Sequence, residues 1–228
     1  MKGEPTAGPG AGRAPTPRPE TPAGEGEPVV RRFAGQARPA AAPGMARVLL
    51  RQWRQCDLEP YHEMNTDPEV MRFMPALMTR REASDSLVRL RAGIEERGWG
   101  VWAVEVDGAF AGMAGLSVPR FAAPFMPCTE VLWRMRREFW GRGLARAAAE
   151  QALEFGFSRL GLAEIVAFTA AVNLRSIRLM ERLGFSRDPG GDFDHPALAA
   201  GHPLRRHVLY RKGRDRHAGP LRAPSAEA

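Results

Sequence analysis

Apolar and polar positions fall into readable patterns only from Arg47 onward, and from there the chain reads as strands interleaved with helices. Arg47 to Trp53 is a predicted strand, ended by Asp57, a residue type that can cap a helix starting at Leu58. Asp67-Pro68-Glu69 repeats the start signal, with proline at the first helical position. Thr79 is a third cap. It opens an arginine-rich helix to about Arg97, in which Ala83, Leu87, Leu90 and Ile94 fall three and four apart on one face, and Gly98 stops it.

Trp99 to Val106 reads as a strand, Asp107-Gly108 is a hairpin signal, and Ala109 to Val118 is the returning partner. A loop rich in Pro and Phe, Pro119 to Pro127, precedes a strand from Cys128 to Met135. Gly143 to Arg159 is a helix with a Leu153/Phe157/Leu160 stripe, stopped by Gly161. Glu164 to Ala171 is a strand, Asn173 caps a helix to about Leu183, and Gly184-Phe185-Ser186 re-enters extended chain. Leu204 to Arg211 is the last strand, after a loop holding Asp192, Asp194, His195 and His202. The order β-α-α-β-β-β-α-β-α-β is mixed α/β with a hairpin meander in the middle. It is not the regular alternation of a doubly wound dinucleotide fold.

Composition bounds what surrounds this pattern. The first 46 residues hold no Leu or Ile and nine of the 20 prolines, too little apolar surface to offset the entropy of ordering, so 1–46 is an expected disordered tail. Residues 213–228 read as a second one, which leaves 47–212 as one domain; Met45, where the folded pattern begins, is an expected translation start. No run approaches the roughly 18 apolar residues of a membrane span. Cys56 and Cys128 make neither a disulfide framework nor a metal cluster, and the five histidines are scattered, so no metal is expected. Arg31-Arg32-Phe33 lacks the apolar run of an export signal. A cytoplasmic protein is the plain reading. The net charge of +7 is almost all arginine, spread along the chain, which favours anionic ligands without naming one.

The one stretch built for such a ligand is Trp140-Gly141-Arg142-Gly143-Leu144-Ala145. Two glycines let the backbone turn tightly and approach a ligand, and an Ala-rich helix begins at once behind them. Free N–H groups at a helix start, backed by the helix dipole, suit a phosphate or pyrophosphate. The P-loop pattern is absent. The dinucleotide fingerprint meets Arg146 at its third small position and has no alternating βαβ unit around it. What remains is R/Q-x-x-G-x-G/A after a strand and opening a helix, with Trp140 in the Arg/Gln place.

With that corner, Glu164 to Thr169, Asn173-x-x-Ser176 and Met180-Glu181-Arg182-Leu183-Gly184-Phe185, the sequence resembles the GNAT N-acetyltransferases, and specifically their RimJ/RimL-like branch, over about Arg47 to Arg211. Phe193 to Pro196 and Gly201 to Tyr210 are similar to a bacterial subfamily of that branch. The resemblance implies an α/β (α+β) GNAT fold: a mixed, mostly antiparallel central sheet flanked by helices, with a V-shaped split between the fourth and fifth strands. It implies acetyl-CoA as cosubstrate. The backbone of Trp133, Arg134 and Met135 would pair with the pantetheine arm, and Trp140, Gly141, Arg142, Gly143, Leu144 and Ala145 would hold the pyrophosphate. Asn173 would cap its helix and touch the pantetheine, with Ser176 beside it.

For the chemistry, many members of the family protonate the leaving thiolate with a Tyr at the position of Met180. RimL-like enzymes use the serine, which makes Ser176 the candidate general acid. Glu130 matches a Glu recurrent in the branch and is a candidate general base, directly or through water; strand alternation leaves open a solvent-facing or Arg-paired side chain. His195 with Asp194 is a second candidate base. Trp53, Trp99 and Trp102 fit the core, whereas Phe121 and Phe125, in the loop, are expected on the substrate side. Leu132 stands where the branch usually has Gly and would narrow the cleft.

These readings lead to an N-acetyltransferase making a direct transfer from acetyl-CoA to a primary amine, of a protein N-terminus or of a small molecule. No cysteine sits in the corner to carry an acetyl-enzyme. A non-catalytic acyl-CoA-binding regulator is the alternative, kept open by Met180. An arginine-rich nucleic-acid binder ranks last because its charges are dispersed. No membrane partner is expected, and the chain reads as a monomer or homodimer.

Overall fold

The computed structural model describes residues 46–214. Most of both expected tails therefore lies outside the described residues. Seven strands form one sheet: β1 (Val48–Arg51), β2 (Val101–Val106), β3 (Ala109–Ser117), β4 (Glu130–Met135), β5 (Glu164–Ala170), β6 (Ser186–Asp194) and β7 (Arg206–Gly213). Their order across the sheet is β1-β2-β3-β4-β5-β7-β6, and every neighbouring pair is antiparallel except β4 and β5. Four α-helices flank it: α1 (Leu58–Thr66), α2 (Arg80–Arg97), α3 (Leu144–Ser158) and α4 (Leu174–Arg182).

Several elements form for the local reasons expected. The Thr79 hydroxyl accepts the Glu82 N–H at 3.2 Å while the Glu82 carboxylate accepts the Thr79 N–H at 2.7 Å, a reciprocal box that starts α2. Gly98 ends that helix at φ 74°, a left-handed conformation open to glycine. Asp107 and Gly108, both at positive φ, turn the β2–β3 hairpin.

Four expectations fail. Asp57 stands before α1, but its carboxylate makes no bond to that helix. It takes both Nη atoms of Arg51, at 2.6 and 2.8 Å, and the Arg54 N–H at 2.7 Å, and is buried by doing so. Asp67-Pro68-Glu69 opens no helix. The Asp67 carboxylate accepts the Glu69 N–H at 2.9 Å in a tight turn, and Pro75 ahead forbids a long continuation, so the chain runs through turns to Thr79. The expected loop around Asp192 and Asp194 belongs instead to strand β6. Its pairing with β7 skips a register between Asp188 and Phe193, where Pro189-Gly190-Gly191 interrupts the alternation, and Asp192 accepts the Leu209 N–H at 3.2 Å across the gap. The last strand ends at Gly213, one residue into the expected C-terminal tail, because Gly213 still pairs with Glu164.

Register fixes which side chains share a face. Met113 lies opposite Arg134 and Gly115 opposite Leu132, so Glu130, Leu132 and Arg134 point to one face of the sheet. Asn65 of α1 reaches Arg134 there. The opposite face carries Ala114, packed with Leu144 and Ala148 of α3, and Leu116 and Ile165, which pack around Gly156 of that helix. The apolar core falls into three clusters, the largest of which buries Trp53, Tyr61, Leu87, Ile94, Phe155 and Met180.

Candidate active site

The sheet comes apart between β4 and β5. Only Glu130 and Val166 are in register there, held by the Val166 N–H to the Thr129 carbonyl at 2.9 Å, and beyond them the strands diverge. The gap opens into a cleft of about 980 Å³. Its walls are β4, the loop at Phe73-Met74-Pro75, the start of α3, the end of β5 and the start of α4. His195, Leu198, Leu204 and His207 close the side towards β6 and β7.

At the glycine corner, Gly141 and Gly143 take φ of 74° and 73°, and a Cβ built on either would meet no atom within 4 Å. Open space therefore lies in front of a helix start whose first-turn N–H groups have no partner within the helix. No side chain caps α3, and no acidic residue sits in its first turn. The donor set and the room both suit a pyrophosphate. Trp140, Gly141, Gly143, Leu144 and Ala145 line the cleft; Arg142 does not, its exposed guanidinium lying 5.8 Å from the Phe139 ring. The Trp140 indole donates to the Met135 carbonyl at 2.9 Å, and the guanidinium of Arg175 lies over its ring at 3.8 Å. Trp133, Arg134 and Met135 also line the cleft.

On the far wall, the Asn173 side chain accepts the Ser176 N–H at 3.3 Å, as a helix cap does. The same amide donates to the Ser176 hydroxyl at 3.1 Å and to Thr169 at 2.9 Å. The Ser176 oxygen is thus occupied as an acceptor, and its own proton is free to be given away. Met180, at the position where many members of the family carry a tyrosine, is buried to 2 % exposure in the core and also borders the cleft.

Glu130 points from β4 into the cleft, beside its cross-strand partner Ser117. Protein surrounds the carboxyl closely enough that burial pushes its pKa up to about 8, against the lowering effect of a Ser117 hydrogen bond. Among the described residues no arginine pairs with it, and the side chain is partly exposed on the cleft. His195 lines the cleft, but Asp194 does not serve it: that carboxylate is taken by Arg205 and Arg206. The His195 Nδ1 accepts the Ala197 N–H at 3.3 Å, which places the proton of the neutral ring on Nε2. His207, which the sequence reading passed over, lies near it, with the rings tilted and 5.0 Å between centroids. Its Nδ1 donates to the Arg205 carbonyl at 3.1 Å, so its Nε2 carries the free lone pair, and burial holds the ring below the ordinary histidine pKa.

Phe121 and Phe125 are misplaced by the sequence reading. Neither lines the cleft. Phe125 is buried against Phe168 and Phe193, and Phe121 stacks on Phe193 at 5.7 Å and meets His195 at a tilt, 4.8 Å between ring centres. A loop next to an aromatic-rich strand pair buries its rings, because that surface is the largest apolar one within reach. Phe168 takes the place at the cleft wall, and Leu132 lines it as expected.

A family model described as an acetyltransferase (GNAT) domain matches residues 47–186. This chain belongs to the GNAT acetyltransferases. The resemblance to the RimJ/RimL-like branch drawn from the corner and the Asn173 block is borne out, and so is the GNAT fold, with its mixed sheet split at β4 and β5. The family's enzymes are acetyl-CoA-dependent acetyltransferases. Among curated relatives, the chain is 28 % identical over 133 residues to the FsC-acetyl coenzyme A-N(2)-transacetylase of Aspergillus fumigatus, covering 54 % of this chain and 56 % of that one. The chain thus spans little more than half the length of that relative. Two solved structures share the fold. The YncA protein of Salmonella typhimurium, solved with its cofactor acetyl-CoA, gives a TM-score of 0.57 at 19 % identity over 77 % of this chain and 99 % of that one. The spermidine N-acetyltransferase of Vibrio cholerae, solved with CoA and spermine, gives 0.57 at 20 % identity over 73 % and 95 %. Among the described residues no helix is long and apolar enough to cross a membrane.

Proposed function

We propose that residues 47–212 of this GNAT protein transfer the acetyl group of acetyl-CoA directly to a primary amine. The observation that carries the reading is the strand split lying next to an uncapped, glycine-opened helix start, both on one cleft. In this reading the free edge of β4 at Trp133 to Met135 pairs with the pantetheine arm as an added strand would. The amides of Gly141 to Ala145 hold the pyrophosphate, and Arg146, Arg175, Arg178 and Arg182 line the same cleft with positive charge.

The amine loses a proton to Glu130, directly or through one water. Its nitrogen then forms the new C–N bond at the thioester carbonyl, the C–S bond breaks, the thiolate takes the proton of Ser176, and the surplus proton on the new amide nitrogen returns to the Ser176 oxygen. A carboxyl with a pKa of about 8 is a stronger base than an ordinary glutamate, which suits it to this step. The orientation of Ser176 by Asn173 supports its role as donor to sulfur.

The test incubates the full chain with acetyl-CoA and a panel of primary amines, including peptide N-termini, reading thiol release and the mass gain of one acetyl group. Turnover that falls in Ser176→Ala and Glu130→Gln supports the reading. Acetyl-CoA binding without thiol release on any amine would leave the non-catalytic acyl-CoA-binding regulator in its place.

A further inference from the structure

Arg134 is a cation without a counter-charge among the described residues. Eleven other arginines, among them Arg51 and Arg136, are held in ion pairs, yet no carboxylate lies within salt-bridge distance of this cleft-lining one among the described residues. Its two recorded partners are neutral. Nη1 donates to the Asn65 side-chain oxygen and Nη2 to the Met74 sulfur at 3.1 Å. The Asn65 amide is fixed in turn, because its Nδ2 donates to the Tyr61 carbonyl at 2.7 Å and the residue is wholly buried. The guanidinium is therefore clamped in one orientation from behind.

A guanidinium carries five N–H donors in a planar fork, and these two contacts leave the others for the cleft that Arg134 lines. Burial lowers its pKa, but an arginine stays charged at any physiological pH. Holding a charged group here without an anion is unfavourable, and the carboxylates nearby are spent or turned away. Glu63 pairs with Arg136, Asp67 with Arg137, Glu69 is exposed at the cleft mouth, and Glu130 lies four residues back along β4, about 13 Å between Cα atoms at the rise of a strand.

We propose that Arg134 anchors a carboxylate on the acceptor, so that the amine acetylated here is an aminocarboxylate rather than a polyamine or an uncharged amine. Arg134 and Glu130 share one face of β4 with Leu132 between them. The acceptor's amine lies towards the Glu130 end and the strand split, and its carboxylate meets the guanidinium fork in paired hydrogen bonds. Leu132 packs against the carbons between. Arg134 is thereby a specificity-determining residue of the acetyltransfer proposed above, and the inference rests on that reading.

The experiment measures kcat/KM for matched sets of amines: amino acids of graded chain length, their carboxamides, the corresponding decarboxylated amines, and spermidine. Wild type is compared with Arg134→Gln and Arg134→Lys, and acetyl-CoA affinity is measured by calorimetry on all three. The expected result is a wild-type preference for the carboxylate over its carboxamide of about 30-fold, the scale of hydrogen bonds to a charged group. Arg134→Gln abolishes it chiefly through KM, Arg134→Lys keeps part of it, and acetyl-CoA affinity stays within about threefold. Equal turnover of acid and amide, a preference for spermidine, or a tenfold loss of acetyl-CoA affinity in a folded Arg134→Gln would each overturn the inference while leaving acetyltransfer standing. Absence of turnover on every amine would overturn both. Should Arg134→Gln not fold, the carboxylate-to-carboxamide ratio in wild type and Arg134→Lys still decides.

Discussion

The guanidinium of Arg175 lies 3.8 Å from the centre of the Trp140 ring, so a residue of α4 is stacked on a residue of the glycine corner across the open split in the sheet. Trp140 is in turn tied to the end of β4 by its indole bond to Met135. The pair fastens together two walls that share no strand pairing. Replacing Trp140 with Ala removes both links and is expected to weaken acetyl-CoA binding by about 2- to 30-fold, the worth of a cation–π contact. Arg175→Lys keeps the charge and should lose less than Arg175→Ala. Calorimetric titration with CoA reads all three.

Gly143→Ala separates conformation from binding at the same corner. The site is open, so a methyl group clashes with nothing, but a φ of 73° costs an L-residue about 1–2 kcal/mol. A modest drop in Tm is expected, together with a much larger loss of CoA affinity where the methyl group stands in the pyrophosphate's place.

As the proposed base, Glu130 is expected to make activity and stability respond to pH in opposite senses. As a base with a pKa of about 8, it is ionised only above that value, so kcat/KM should rise with pH through about 8 and flatten beyond it. Glu130→Gln is expected to lower kcat by about 10²- to 10⁴-fold and to remove that limb of the profile. For stability the folded pKa lies above the ordinary value of 4.5, so folding favours the protonated carboxyl. Its contribution is whole below about pH 4.5 and is lost as pH rises to 8, at no more than about 1.4 kcal/mol per pH unit. Denaturant melts of the Gln variant should therefore fall less than wild type across that window.

Ser176→Ala should reduce kcat with little change in KM, because it removes a proton donor to the leaving group and no ground-state contact. Asn173→Ala should do the same and also cost about 1 kcal/mol of stability, since the same side chain caps α4. A matched fall in Tm for both variants would argue against the division of labour.

The Cys128 thiol, pushed up to about 11 chiefly by burial with Glu130 adding to it, is expected to resist alkylation at pH 8. Cys56 is exposed and should be labelled first. Mass mapping after brief iodoacetamide treatment distinguishes the two.

Local chemistry made much of this molecule legible. Thr79 with Glu82, Asp107-Gly108 and the Gly141–Gly143 corner each specify their structure within a few residues, and each forms as expected. The failures have a common physical root. Asp57 and Asp67 are helix-capping residues by type, but an arginine six residues away and an N–H two residues away compete for their carboxylates. Strand β6 was hidden because Pro189-Gly190-Gly191 breaks its alternation, and only pairing with β7 restores it. His207, Arg175 and the side chain of Arg134 carry no local signature at all. Arg134 meets Asn65 from 69 residues away, and His207 reaches the cleft only because β7 inserts beside β5.

The divergence of β4 and β5 leaves two inner strand edges facing a cavity rather than each other. Apart from the Met135 carbonyl, which the Trp140 indole holds, these edges lack a strand partner across the gap, and in the proposed reading an extended ligand lying between them completes the central sheet. Amide hydrogen exchange along Trp133 to Met135 should accordingly slow on CoA binding. At ligand concentrations 100 times Kd the fold as a whole should gain about 2.7 kcal/mol. The lifetime of this protein in a cell would then rise and fall with its acyl-donor supply, making its abundance a readout of acetyl-CoA even before any acceptor is present.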